Sequence, residues 1–266
     1  MNQNLKNKFI LFLSLYQIIL LLSSFWFGFC LHEIVDSPYK FPNIDKTYWL
    51  IHFLGTVHFF SKFKTVSIFL EILLFVIPIT IFFNKTNRFL ILINIVLLFL
   101  FEILYNTNAL HHYHSILSLI FGWLTITTQR TKSQKLMFHF FILYGLFIFW
   151  SAGFWKLGRN SFLHPNQLNS IIIEQNITSL YLEPNSFYNQ IRKFLINRPL
   201  ISDFIYNAVV LFQISFIVPC LTKKFDWFYI LGLILFFIFN LALMNIFSLI
   251  PLFIAFGLFF RRQINN

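Results

Sequence analysis

The chain runs as long apolar stretches broken by short polar ones, with little of the two-residue alternation that marks half-buried strands. Stretches near 20 residues predict helices that cross a hydrocarbon layer, and shorter ones suffice where a neighbour covers an end. Eight spans are predicted: Phe9–Cys30, Val66–Phe83, Phe89–Tyr105, Ala109–Thr127, Leu136–Trp155, Phe204–Leu221, Trp227–Ile246 and Phe247–Phe260. The last is short, carries Pro251 and follows the seventh almost without a loop, so a tilted or re-entrant path is open to it. Pro78 and Pro219 lie inside spans and predict kinks.

Two longer breaks, 31–65 and 156–203, carry structure of their own. "YWLIHFLGTVHFF" is too short to span and rich in aromatics, as an interfacial helix would be. "IIIEQNITSLYLEPNSF" and "IRKFLI" read as amphipathic pieces separated by Pro184 and closed by Pro199. The fold class is therefore all-α: a polytopic transmembrane helix bundle of about eight spans with amphipathic outer loop helices. Residues 1–266 form one membrane domain, with no soluble domain, internal repeat or low-complexity tail.

Composition agrees with a lipid solvent. Hydrophobic residues make up 58% and charged residues 11%, too little polar surface to cover a soluble domain. The net charge of +11 raises nucleic-acid binding, but the basic residues sit in the short breaks rather than on a stripe or an aromatic-basic platform. That placement is a topology signal. A cytoplasmic N-terminus collects Lys6, Lys8, Lys85, Arg88, Arg130, Lys132, Lys135, Lys223, Lys224, Arg261 and Arg262 on the inner side. Both termini are then cytoplasmic in a cell membrane, and no nucleic-acid partner is expected. Phe9–Cys30 lacks a small-x-small cleavage site and reads as a retained span, not a signal peptide. Cys30 and Cys220 fall near opposite faces, so no disulfide is expected.

Ionisable side chains inside spans are costly and mark candidate sites. Glu71, Glu102, Asn106, Asn108, His111, His112, His114, Lys156 and Asn240 all fall toward the outer leaflet on this topology, which points to a shared outward-facing polar cavity. Gly145, Phe149, Ala152, Gly153 and Lys156 share one helix face, where small residues let a helix or ligand approach below the amine. Lys156 has two readings: a snorkelling anchor beside Arg159, with Trp150 and Trp155 in the interfacial belt, or a partly dehydrated amine acting as a base. His111 and His114 lie one turn apart, a spacing that suits a metal, a carboxylate partner such as Glu102, or a substrate. Membrane metal enzymes need more such boxes, so no metal ligand is assigned. Glu71 and Glu102 read as proton carriers or as ion-pair partners.

Three stretches together carry a resemblance. "NTNALHHYHSILSLIFGWL", "YGLFIFWSAGFWKLGRNSF" and "FIFNLALMNIFSLIPLFIAFGLFF" resemble, in order and spacing, segments of the HTTM family. That family includes the vitamin K-dependent gamma-carboxylase, and the sporulation-delaying protein B group is closer in size. The resemblance implies that Lys156 matches the lysine that deprotonates vitamin K hydroquinone, and that the His111–His114 region matches a histidine-bearing span. Asn240 stands where the carboxylase has a histidine, and asparagine moves no proton at neutral pH. No counterpart of the carboxylase's lumenal domain follows Arg262, which weighs against gamma-carboxylation itself.

Two functions follow as expectations. One is an enzyme acting on a quinol-like or peptide substrate, with Lys156 as base, His111 or His114 orienting the substrate oxygen and Glu102 fixing the imidazole. Asn108, His112, Asn240, Gly153 and Glu71 would contact substrate, and a reduced quinone is the cofactor to consider. The other is a non-catalytic accessory factor for maturing or exporting a secreted antimicrobial peptide, partnered by that peptide or by a protein from a neighbouring gene. A permease fits worst, because the inner half lacks a polar path apart from His139.

Overall fold

Every regular element among the described residues is a helix. The computed structural model describes residues 3–26, 30–34, 53–55, 59–60, 62–84, 87–108, 115–128, 131–244 and 248–265. Six helices are long and apolar enough to cross a membrane, which makes this a multi-pass membrane protein: Gln3–Glu33, Lys64–Phe83, Arg88–Tyr105, Lys132–Gly158, Pro199–Leu221 and Asp226–Met244. These match six of the eight expected spans. The other two are shorter helices. Ser115–Thr127 begins inside the expected fourth span, whose first residues, 109–114, lie outside the described ones. Ile250–Asn265 overlaps the expected eighth over residues 250–260 and places Pro251 in its first turn, where a missing N–H breaks no bond. The chain divides into two compact units, Met1–Phe141 and Ile142–Asn266.

In the first unit, α1 (Gln3–Trp26), α3 (Lys64–Phe83), α4 (Arg88–Asn108) and α5 (Ser115–Thr127) pack in a closed ring, with α2 (Leu31–Ile34) leaning on α3 and α4. Helix α1 shows why lipid is the solvent. Leu5, Phe9, Leu13, Tyr16 and Leu20 turn inward at helical spacing, yet Leu11, Leu15, Ile19 and Leu22 are exposed and just as apolar. The ring is tied at its centre by Gln17. Its Nε2 donates to Asn94 Oδ1 at 2.9 Å and to the Leu74 carbonyl at 2.8 Å. Its Oε1 accepts from Asn94 Nδ2 at 3.0 Å and from Trp123 Nε1 at 2.9 Å. One side chain thus bonds all three other helices of the ring. The Leu74 bond answers a specific need. Pro78, four residues later, has no N–H to give that carbonyl, and lipid offers no substitute. Helix α3 accordingly runs through Pro78 without a break.

The helix α6 (Thr131–Gly158) straddles the boundary between the units. The second unit continues with α7 (Gln167–Leu182), α8 (Phe187–Ile196), α9 (Pro199–Ile214), α10 (Ile217–Leu221), α11 (Asp226–Met244) and α12 (Ile250–Asn265). The kink expected at Pro219 appears as a turn at Ser215–Phe216 between α9 and α10. Pro219 withholds an N–H from the Ser215 carbonyl, which instead accepts from the Tyr229 hydroxyl at 2.8 Å and from the Val218 N–H at 2.8 Å. Leu168, Ile172, Leu195, Tyr206, Val210 and Leu243 form an apolar core shared by α7, α8, α9 and α11.

Polar side chains close both ends of α11. At its start, Asp226 is fully buried against Arg261, whose Nε donates to Oδ2 at 3.1 Å and whose Nη2 donates to Oδ1. Arg261 Nη1 also donates to the Pro219 carbonyl at 2.6 Å. This clasp sets α11 and α12 antiparallel. At the other end, Arg192 Nη2 reaches the Ala242 carbonyl at 2.8 Å and Asn176 Nδ2 the Leu243 carbonyl at 2.8 Å. A cation beside terminal carbonyls complements the helix dipole. Burial pulls the Arg192 guanidinium below its ordinary value, with Tyr188 opposing.

Candidate functional site

Lys156 lies in the last turn of α6, and the small-residue face below it is already occupied by the same unit. A methyl group on Gly145 would meet Ile254 Cγ1 at 2.9 Å. Phe149 packs its ring on Phe216 and Phe236. A methyl group on Gly153 would meet Gln213 Cβ at 2.8 Å and the backbone nitrogen of Ile214 at 2.9 Å. The stripe is a seat for α9 and α12. One turn above Gly153, Lys156 Nζ donates to Gln213 Oε1 at 2.7 Å, and Gln213 is buried. The amine of half-buried Lys156 therefore points into the helix pair, not along the lipid face. The interfacial pair is formed by its neighbours: Arg159 stacks over the exposed ring of Trp155 at 4.7 Å. The Lys156 carbonyl is held by Ser161 Oγ at 2.8 Å, which in turn accepts from the Tyr206 hydroxyl at 3.2 Å.

The close α6–α9 contact is testable. Gly153→Ala is expected to lower stability by about 1–3 kcal/mol, because backbone and not a flexible side chain must move. Gly158→Ala adds its methyl to open space and is the matched control. Thermal melting of both variants in detergent checks the difference.

A second polar cluster lies in the first unit. Glu71, on the second turn of α3, accepts from His32 Nδ1 at 2.6 Å through Oε2 and from the Leu31 N–H at 2.5 Å through Oε1. Cys30 is a buried free thiol, and a donor atom from each of Cys30, His32 and Glu71 lies within 4.8 Å of the others. Glu33 Oε2 accepts from the Cys30 N–H at 3.3 Å. Both carboxylate oxygens of Glu71 are thus engaged by hydrogen bonds to the Leu31–His32 segment.

The remaining expected site residues divide as follows. Glu102 is buried on α4 in the first unit, with Glu71, while Lys156, Gly153 and Asn240 belong to the second. Asn240 is half-buried on α11, just before the carbonyls that Arg192 and Asn176 hold. His111, His112 and His114 lie outside the described residues, and Asn108 is described in its backbone alone. Two polar residues outside the expected set are engaged elsewhere: Asp226 in the Arg261 clasp, and His139, whose Nδ1 bonds the Lys135 carbonyl of its own helix at 2.6 Å. Neither Gln213 nor His32 stands out in the sequence. Gln213 is the residue that meets Gly153 in the packed stripe, and the Cys30–His32 spacing of two residues was the signal available for His32.

No known protein family matches the chain, and neither a curated protein nor a solved structure does.

Proposed function

We propose that this is an eight-span protein of a bacterial cell membrane, of HTTM type, with both termini cytoplasmic and with Lys156 as a base toward the hydroxyl of a quinol-like, lipid-soluble substrate. The observation that carries the reading is the 2.7 Å bond from Lys156 Nζ to the neutral amide oxygen of Gln213. A snorkelling anchor reaches for headgroups. This amine is instead oriented by a buried acceptor that carries no counter-charge, and an oriented amine is what general-base chemistry requires. In the step proposed, the neutral Nζ takes the hydroxyl proton and leaves a quinolate, and the ammonium returns its proton to water. The shorter helices Ser115–Thr127 and Ile250–Asn265 complete the eight spans.

An anaerobic titration with a reduced short-chain naphthoquinone tests the chemistry. Wild-type protein is expected to shift the ligand spectrum toward the anion, whereas Lys156→Ala and Lys156→Arg leave it as the neutral quinol. Equal spectra for wild type and Lys156→Ala would overturn the base. Topology is tested separately in a Cys30→Ser, Cys220→Ser background. A Lys156→Cys variant should react with an impermeant maleimide added outside the cell, and reaction from the cytoplasmic side alone would reverse the orientation.

The accessory-factor reading keeps one support. Tyr181, Leu182, Phe187 and Tyr188 are exposed on α7 and α8, an apolar edge to which a secreted peptide could dock. The Gly145–Gly153 stripe gives such a peptide no second surface, because the chain's own helices cover it. Recovery of a short secreted peptide with the purified protein would favour this reading.

A further inference from the structure

We propose that Cys30, His32 and Glu71 bind one divalent transition-metal ion of the zinc class. The inference is independent of Lys156 and rests on the first unit alone. Three donors of different chemistry converge there from the end of the first span and the second turn of α3. They are a thiol sulfur, an imidazole nitrogen and a carboxylate oxygen, all within 4.8 Å of one another. Zinc bonds of about 2.0–2.3 Å place tetrahedral donors about 3.3–3.7 Å apart. The His32–Glu71 contact must open from 2.6 Å and the wider separations must close slightly.

The donor set selects the ion. Calcium and magnesium ask for oxygen alone, and copper(I) asks for several sulfurs, whereas a mixed sulfur, nitrogen and oxygen set suits zinc or cobalt(II). The second layer is in place. Glu71 commits Oε1 to the Leu31 N–H and keeps Oε2 on the side of His32, which orients a metal ligand from behind. Cys30 is buried and unbridged, so its sulfur is available as a ligand. Binding displaces the thiol proton and any proton shared between His32 and Glu71. Three protein ligands leave one coordination place, which takes water or an anionic substrate oxygen unless Glu33 swings in from the same turn.

The test uses the full chain in detergent, purified without chelators, and reads no activity. Cobalt(II) titration of wild-type protein should give about one equivalent with a thiolate-to-cobalt absorption in the near ultraviolet. Cys30→Ser should abolish that band, Cys220→Ser should keep it, and His32→Ala or Glu71→Gln should weaken binding about tenfold or more. Protection provides a readout without removing any ligand: in the Cys220→Ser background, zinc should slow maleimide labelling of Cys30. The site is disproved by a missing thiolate band in wild-type protein, by a band that follows Cys220, or by Cys30 labelling at the same rate with and without zinc.

Discussion

Arg261→Ala is expected to be among the most damaging single substitutions in the protein, lowering stability by about 3–5 kcal/mol. The reason is what it leaves behind. Asp226 is fully buried, and its two carboxylate oxygens accept from two nitrogens of Arg261. Alanine at 261 leaves that buried carboxylate without the cation that pairs it. It also removes the donor to the Pro219 carbonyl, which ends the span formed by α9 and α10. Lysine is no substitute, since one ammonium cannot reproduce a planar fork that serves two carboxylate oxygens and a carbonyl. Removing both charges together, as in Asp226→Leu with Arg261→Met, should recover most of the loss, because a paired buried charge costs nearly as much to desolvate as it returns. Arg262→Ala is the contrast. That side chain lies over the Trp227 ring at 5.4 Å, and its loss should cost no more than about 1 kcal/mol. Melting of the four variants in one detergent compares them, and an Arg261→Ala that melts with wild type would show the clasp to be incidental.

The clasp also shows where sequence reading stops. Arg261 is read from the sequence as a topology charge at a helix end, and nothing in the sequence marks Asp226 as its partner. Their pairing is not readable, because 35 residues separate them and two helices must run antiparallel to bring them together. The six long spans were legible for the opposite reason. Each is a local property, a run of apolar residues set by the thickness of a bilayer. The small-residue stripe on α6 lies between these cases. Spacing alone showed that something approaches Gly145 and Gly153 closely, while only the packing shows that it is Ile254 and the Gln213–Ile214 backbone. Neutral amides were the least visible. Gln17, Asn94 and Gln213 leave a hydropathy profile almost unchanged, yet they make the bonds that tie α1 to its ring and orient Lys156.

Gln17→Leu should therefore do damage out of proportion to its conservative appearance. Leucine fills the space and suits a span, so a loss of stability reports the hydrogen bonds. Three groups lose a partner in a closed, apolar setting: the Asn94 amide, Trp123 Nε1 and the Leu74 carbonyl. Each stranded group costs about 1–3 kcal/mol in a water-soluble core. Side-chain bonds within membrane bundles average nearer about 0.6 kcal/mol, since their unfolded state also finds partners. A combined loss of about 2–4 kcal/mol lies between those bounds. Pro78 makes the cause separable. Pro78→Ala restores an N–H that can reach the Leu74 carbonyl, so in the Gln17→Leu background it should return part of the loss. In wild-type protein the same change meets a carbonyl already served by Gln17 and should return less. The two substitutions are then non-additive, with the double variant more stable than the sum of the singles implies. Strict additivity would mean that the bond from Gln17 to Leu74 does not compensate for the proline.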